Sequence, residues 1–296
     1  MEEPTSLIDP APRGPYPFRQ EQDEGADMAL ANILVHVDSK PRASARLALA
    51  VTVAARHGAR VTGLFAEKAE AHRVGTVATW PSEAYVAAAE AARTLFSEAT
   101  AALGGRAAFL DLNRGSDAEI LRRFVDIART FDLVILGQTE EGGPAPSKLP
   151  EHVIVESGRP VLVVPYVGAY PDVGARPLFA WRSTRGAARA VGDSLALLKD
   201  QAEGLVVEVT RKADDQDEFA NLLIANLATH KVPARYEHFL IDEVDVMDTL
   251  LSAAADHAAD LIVIGAFDAG SHGLFGQGAG TRYILAHMTA PVLFGH

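Results

Sequence analysis

One long internal repeat limits the fold of this chain more than any other feature. Phe131-Asp132-Leu133-Val134-Ile135-Leu136-Gly137 returns 128 positions on as Ala259-Asp260-Leu261-Ile262-Val263-Ile264-Gly265. Arg159-Pro160-Val161-Leu162 returns 131 positions on as Ala290-Pro291-Val292-Leu293, and the run 33–37 aligns with 177–181 at an offset of 144. The drift in offset places the differences in loops: the first copy is 16 residues longer in its middle, the second 3 residues longer near its end. Self-similarity at such a period marks one supersecondary unit used twice. The 296 residues suit two domains of about 150 residues each.

Within each copy, short β-branched runs alternate with Ala-rich stretches of helical period, which is the mark of βα units and a parallel sheet. In the first copy the pattern predicts strands over 32–37, 60–66, 107–112, 133–136 and 161–164. Helices are predicted over 44–57, with Leu47, Val51 and Ala54 on the apolar face and Gly58 as the stop, over 82–103, closed by Gly104-Gly105, and over 117–130. The stretch around Gly75, Trp80 and Pro81 reads as irregular. Asp214-Asp215-Gln216-Asp217-Glu218 reads as a helix start, where acids complement the dipole. The runs 161–164 and 292–294 would be bare sheet edges unless paired. That predicts two domains joined through their last strands as a pseudo-dimer.

Residues 1–29 follow a different pattern. They hold five of the sixteen prolines, and residues 1–27 carry seven acids and two bases, a net −5 of the chain's −12. This reads as a disordered acidic tail, with Tyr16 and Phe18 as its only aromatic anchors and Met28 leaving a shorter start open. The predicted organisation is a tail over 1–29, a first domain over 30–167, a linker over 168–175 and a second domain over 176–296. Excess acid argues against nucleic acid and membrane as partners, since both recruit clustered Lys and Arg. With no cysteine, disulfides, thiolate chemistry and Cys-type metal centres are excluded. The longest apolar runs, such as 261–267, are far shorter than the roughly 18 residues of a membrane span. The opening Met1-Glu2-Glu3 lacks the basic and apolar regions of a secretory signal, so a cytoplasmic protein is expected.

Beside these readings stands a likeness. Leu261-Ile262-Val263-Ile264-Gly265, Gly278-Ala279-Gly280-Thr281-Arg282, His287 and Pro291-Val292-Leu293, with Ile33-Leu34-Val35-His36-Val37-Asp38-Ser39 in the first copy, resemble the universal stress protein family. The resemblance covers essentially all of 31–296, in the layout of the family's tandem two-domain members. It implies an α/β fold of two tandem open parallel five-stranded sheets with flanking helices, adenine nucleotide alpha hydrolase-like and Rossmann-like. For some members it also implies a nucleotide site built on a Gly-x2-Gly-x9-Gly-Ser/Thr loop after the fourth strand. Glycines let a backbone approach phosphate, and the N–H groups of the following helix attract the anion.

Carried over residue by residue, the loop falls on Gly265, Asp268, Gly278 and Ala279 in the second domain. Asp268 sets a carboxylate where a glycine would face phosphate, which costs up to about 4 kcal/mol at 4 Å and an effective dielectric near 20. Ala279 lacks a hydroxyl, Ser271, Thr281 and Arg282 could still supply donors, and Arg182 stands where the first copy has Asp38. The first domain keeps Asp38 and Gly137, but Gln138-Thr139-Glu140-Glu141-Gly142-Gly143-Pro144-Ala145-Pro146 replaces the loop with two carboxylates and two prolines, which lack N–H donors. Asp38 equally suits a cap or turn ahead of the first helix.

No P-loop, complete GxGxxG, Gly-x-Ser-x-Gly elbow or His pair at zinc spacing occurs. The expectation is a non-enzymatic stress-response protein with a degenerate nucleotide site, acting through protein contacts. It has no catalytic residue, no metal and no firm cofactor. A homodimer and an unknown protein partner are expected. The alternative is an ATP/AMP-binding sensor that uses the second-domain Gly-rich loop with Mg²⁺. Slow ATP hydrolysis, with Asp268 or His272 as base, is the least favoured reading.

Overall fold

A strand with Val, Ile and Leu on both faces has no wet side, so such runs belong in a sheet covered twice. The computed structural model describes residues 30–68, 72–74, 77–79, 81–112, 116–140, 142–242, 245–266 and 278–296. Its first half runs β1 (Asn32–Val37), α1 (Ala43–His57), β2 (Arg60–Phe65), β3 (His72–Val74), β4 (Val77–Thr79), α2 (Glu83–Ala99), β5 (Ala107–Asp111), α3 (Asp117–Ala128), β6 (Leu133–Gly137), α4 (Leu149–Glu156) and β7 (Val161–Val164). The second runs β8 (Pro177–Ala180), α5 (Arg185–Ser194), β9 (Gly204–Thr210), α6 (Ala220–Thr229), β10 (Ala234–Leu240), α7 (Val246–Asp256), β11 (Leu261–Gly265), α8 (Ala279–His287) and β12 (Val292–Gly295).

The two halves share one ten-stranded sheet, ordered β10-β9-β8-β11-β12-β7-β6-β1-β2-β5. Strands within each half are parallel, and the halves meet where β7 pairs antiparallel with β12, Leu162 opposite Leu293 and Val161 opposite Phe294. Because side chains alternate across a strand, each strand feeds both faces. Ile33, Ile135, Leu162, Val263 and Leu293 join α1, α2, α5 and α6 on one face. Leu34, Val134, Val163, Ile262 and Val292 join α3, α4, α7 and α8 on the other. Both cores run unbroken across the junction. No described helix is long and apolar enough to cross a membrane.

The two five-stranded parallel sheets expected of the halves are present and join edge to edge through their last strands. Several finer expectations are corrected. The predicted helix over 82–103 ends at Ala99 and continues as a 3₁₀ turn over Ala101–Arg106, because Gly104 breaks the helical backbone at φ 57° and ψ −134°. Part of the stretch predicted as irregular pairs as the β3–β4 hairpin. The acids over 214–218 do not open α6, which starts at Ala220; the Asp217 carboxylate instead accepts from the Trp181 indole at 2.6 Å and from the Phe219 N–H at 2.9 Å. On α1 the buried residues are Ala43, Arg46, Leu47, Leu49, Ala50, Val53 and Ala54, with Val51 only half-buried.

Candidate functional site

In an open α/β sheet a ligand crevice forms at the carboxyl ends of the strands, where the strand order reverses. In the first half that point lies between β1 and β6, in the second between β8 and β11.

At the first, β1 ends at Val37 with Asp38 directly after it, and β6 ends in Gly137. Across them lies the side chain of Arg46, buried to 3% exposure. Its Nε donates to the His36 carbonyl at 2.7 Å and its Nη2 to Asp38 Oδ2 at 2.9 Å. A Cβ on residue 137 would lie 2.2 Å from Arg46 Nη1, so the glycine makes room for the guanidinium. The other Asp38 oxygen accepts from the Lys40 N–H at 3.0 Å, which is the turn role rather than a helix cap. Nearby, the Ser39 N–H donates to the buried Glu67 carboxylate at 2.5 Å.

Burial alone would raise the Asp38 carboxyl, but Arg46, then His36 and the Lys40 N–H, outweigh it and hold it below the ordinary carboxylate range. His36 is lowered to about 4, chiefly by burial, with Arg46 adding to the effect and Asp38 and the Ala66 backbone opposing it. The ring is therefore neutral near pH 7, and it packs edge-on against Phe124 with the ring centroids 5.8 Å apart.

The cavity left beside Arg46, lined in part by Lys40, Arg42, Gln138, Pro144 and Pro165, is about 50 Å³. A single water needs about 10–15 Å³ by that measure, whereas ligand pockets run to roughly 300–1,000 Å³. A few waters fit and a nucleotide does not. The loop after β6 folds inward over this cavity, with the Lys68 N–H donating to the Pro144 carbonyl at 2.8 Å. The Gln138 side chain at the cavity wall also reaches the other half. Its Nε2 donates to the carbonyls of Leu285 and Ala286 at the end of α8, at 2.9 and 3.1 Å, while its Oε1 accepts from the Tyr166 N–H at 3.1 Å.

The second switch point is built differently. Arg182, the counterpart of Asp38 at the 144-residue offset, is exposed, and the three described atoms nearest a Cβ built on Gly265 are backbone atoms of α5 rather than an arginine side chain. Instead α5 presses on the sheet, and a Cβ at 265 would meet the Ala187 nitrogen at 2.5 Å and the Gly186 carbonyl carbon at 2.6 Å. Gly278 precedes α8 at φ 83°, a left-handed conformation that glycine adopts without strain. Ala279 opens α8, Thr281 is buried, and the Arg282 Nε donates to Glu151 on α4 at 2.9 Å. Asp268 and His272 lie outside the described residues. No cluster of three His, Cys or acidic side chains able to hold a metal occurs among the described residues.

Sequence reasoning named Asp38 and Gly137 as candidate nucleotide ligands; the structure sets both around Arg46, which, like His36 and Glu67, sequence reasoning did not single out. The signal for Arg46 was an arginine at helical spacing with Ala50 and Val53, on a face that is otherwise apolar.

No family model and no curated protein matches this sequence. Solved structures do. A universal stress protein from Archaeoglobus fulgidus DSM 4304 is 14% identical and aligns over 89% of this chain and 96% of its own, with a TM-score of 0.65. A functionally unknown protein from Pseudomonas aeruginosa PAO1 is 14% identical over 90% of this chain and 92% of its own, with a TM-score of 0.55. A universal stress protein from Archaeoglobus fulgidus in complex with dAMP aligns over 46% of this chain and 98% of its own at 19% identity, but its TM-score of 0.32 is too low for its ligand to bear on this chain. The likeness is one of fold, and both halves of this chain have it.

Proposed function

We propose that this chain is a tandem member of the universal stress protein family, a non-enzymatic cytoplasmic protein that acts through protein contacts. The observation that carries this reading is the buried Arg46–Asp38 pair at the first switch point, with only about 50 Å³ left beside it. A half whose crevice is filled by its own side chain has no room to bind and turn over a nucleotide, and Gln138 serves instead to hold α8. Titration calorimetry with ATP and Mg²⁺ tests the reading: it expects no heat assignable to the first half, and saturable binding protecting residues 36–46 from hydrogen exchange would refute it. Self-association is tested by solution mass, and a strictly monomeric species across micromolar concentrations would remove the homodimer.

A second reading, adenine-nucleotide binding in the second half, is favoured by the left-handed Gly278 ahead of α8, whose first-turn N–H groups would face an anion. In that case Mg²⁺ offsets Asp268, and Asp268→Gly strengthens binding. Weaker binding by that variant would make Asp268 a ligand.

A further inference from the structure

Three groups at the first switch point form a slot: the His36 carbonyl, the Asp38 carboxylate and the bare Cα of Gly137. Two sides are acceptors, 2.7 Å from Nε and 2.9 Å from Nη2 of a single planar group. A guanidinium presents donors in that fixed fork, whereas an ammonium is a point charge and an anion has only acceptors to offer. The third side admits Nη1 because position 137 has no side chain. His36 is neutral near pH 7, so its ring adds no positive charge against a cation. The slot belongs to β1 and β6, neighbouring strands held in register by the sheet, whereas its occupant reaches in from α1.

We infer that the first switch point is a receptor for a planar organic cation, a guanidinium or amidinium, which the chain fills from within with Arg46. This rests on the first-half part of the reading above and reverses the sign of the ligand: the slot takes a cation and turns phosphate away. Gly137 is then a specificity determinant, because any side chain there would displace the fork.

The test is thermal unfolding of the full chain carrying Arg46→Ala, with methylguanidinium, methylammonium or sodium chloride at equal concentration. The variant is expected to melt roughly 10 °C below the parent, because stripping one partner from a buried pair strands the other. Methylguanidinium at about ten times its dissociation constant should return roughly 3 °C, the other two salts nothing, and Asp38→Asn added to the variant should abolish the recovery. If Arg46→Ala does not fold, Arg46→Met, which keeps much of the apolar stem, takes its place. Equal responses to the two organic cations, or recovery that survives Asp38→Asn, would overturn the inference. Such a failure in a protein that still binds no ATP leaves the proposed function standing, whereas ATP protecting residues 36–46 in the parent would sink both.

Discussion

Gly137 and Gly265 end equivalent strands, and the two halves fill the space beside them by different means. Over Gly137 it is the tip of a long side chain, Arg46, paired with Asp38. Over Gly265 it is the backbone of α5, which comes close because Gly186, Ala187 and Ala190 line its inner side and Gly295 lies beneath Ala190. At the 144-residue offset Arg182 and Ala190 replace Asp38 and Arg46, so both members of the pair differ together. One without the other would leave a buried charge uncompensated, a cost of several kcal/mol. The same architecture can thus be closed by a charge pair or by small residues, and the two solutions do not mix.

The contrast can be broken most severely at Asp38. Asp38→Ala strands Arg46 and is expected to cost about 3–5 kcal/mol in urea unfolding, while Arg182→Ala, at the exposed counterpart, should stay within about 0.5 kcal/mol. Next comes pH. His36 titrates near 6.5 when unfolded and about 4 when folded, so between those values the unfolded chain holds a proton that the folded chain does not. Stability therefore falls as pH drops through that window, by about 3 kcal/mol in all. His36→Leu should flatten the slope; the second half has Ala180 at this position. Asp38, whose folded pKa is depressed, contributes stability above the ordinary carboxylate range that is lost as pH falls through its folded value. A smaller difference separates the glycines. Gly265→Ala drives a methyl into backbone and should cost about 3 kcal/mol, Gly137→Ala nearer 1 because the Arg46 tip can swing aside. Smallest is Arg282→Ala, which removes a half-exposed pair with Glu151 and should shift stability by less than about 1 kcal/mol.

Much of the fold was legible because the repeat doubled every signal: the runs 133–137 and 261–265, each ending in glycine, supported one another. The β3–β4 hairpin was not, since it falls in the first copy's extra residues and has no counterpart to confirm it. The turn after Ala99 was missed because Ala101 and Leu103 continue the apolar pattern while Gly104 ends the helix. At the site, Asp38 was visible as an acid at a strand end, but its partner sits eight residues on across a turn. Assigning the helical face from Leu47, Val51 and Ala54 rotated Arg46 toward solvent. Gln138 looked like a degraded loop residue, because its acceptors lie some 147 positions away and no local pattern predicts so distant a contact.

The antiparallel pairing of β7 with β12 has a consequence for dosage. Strands of the two halves point opposite ways, so the two switch points, each at the carboxyl ends of its own strands, open at opposite ends of the sheet's strands. Had the halves been separate chains, that pairing would come apart on dilution; joined by residues 165–176, it is intramolecular, and its population does not depend on how many copies are present. Changing the amount of this protein in a cell alters how many complete sheets there are, never the fraction of chains that have one.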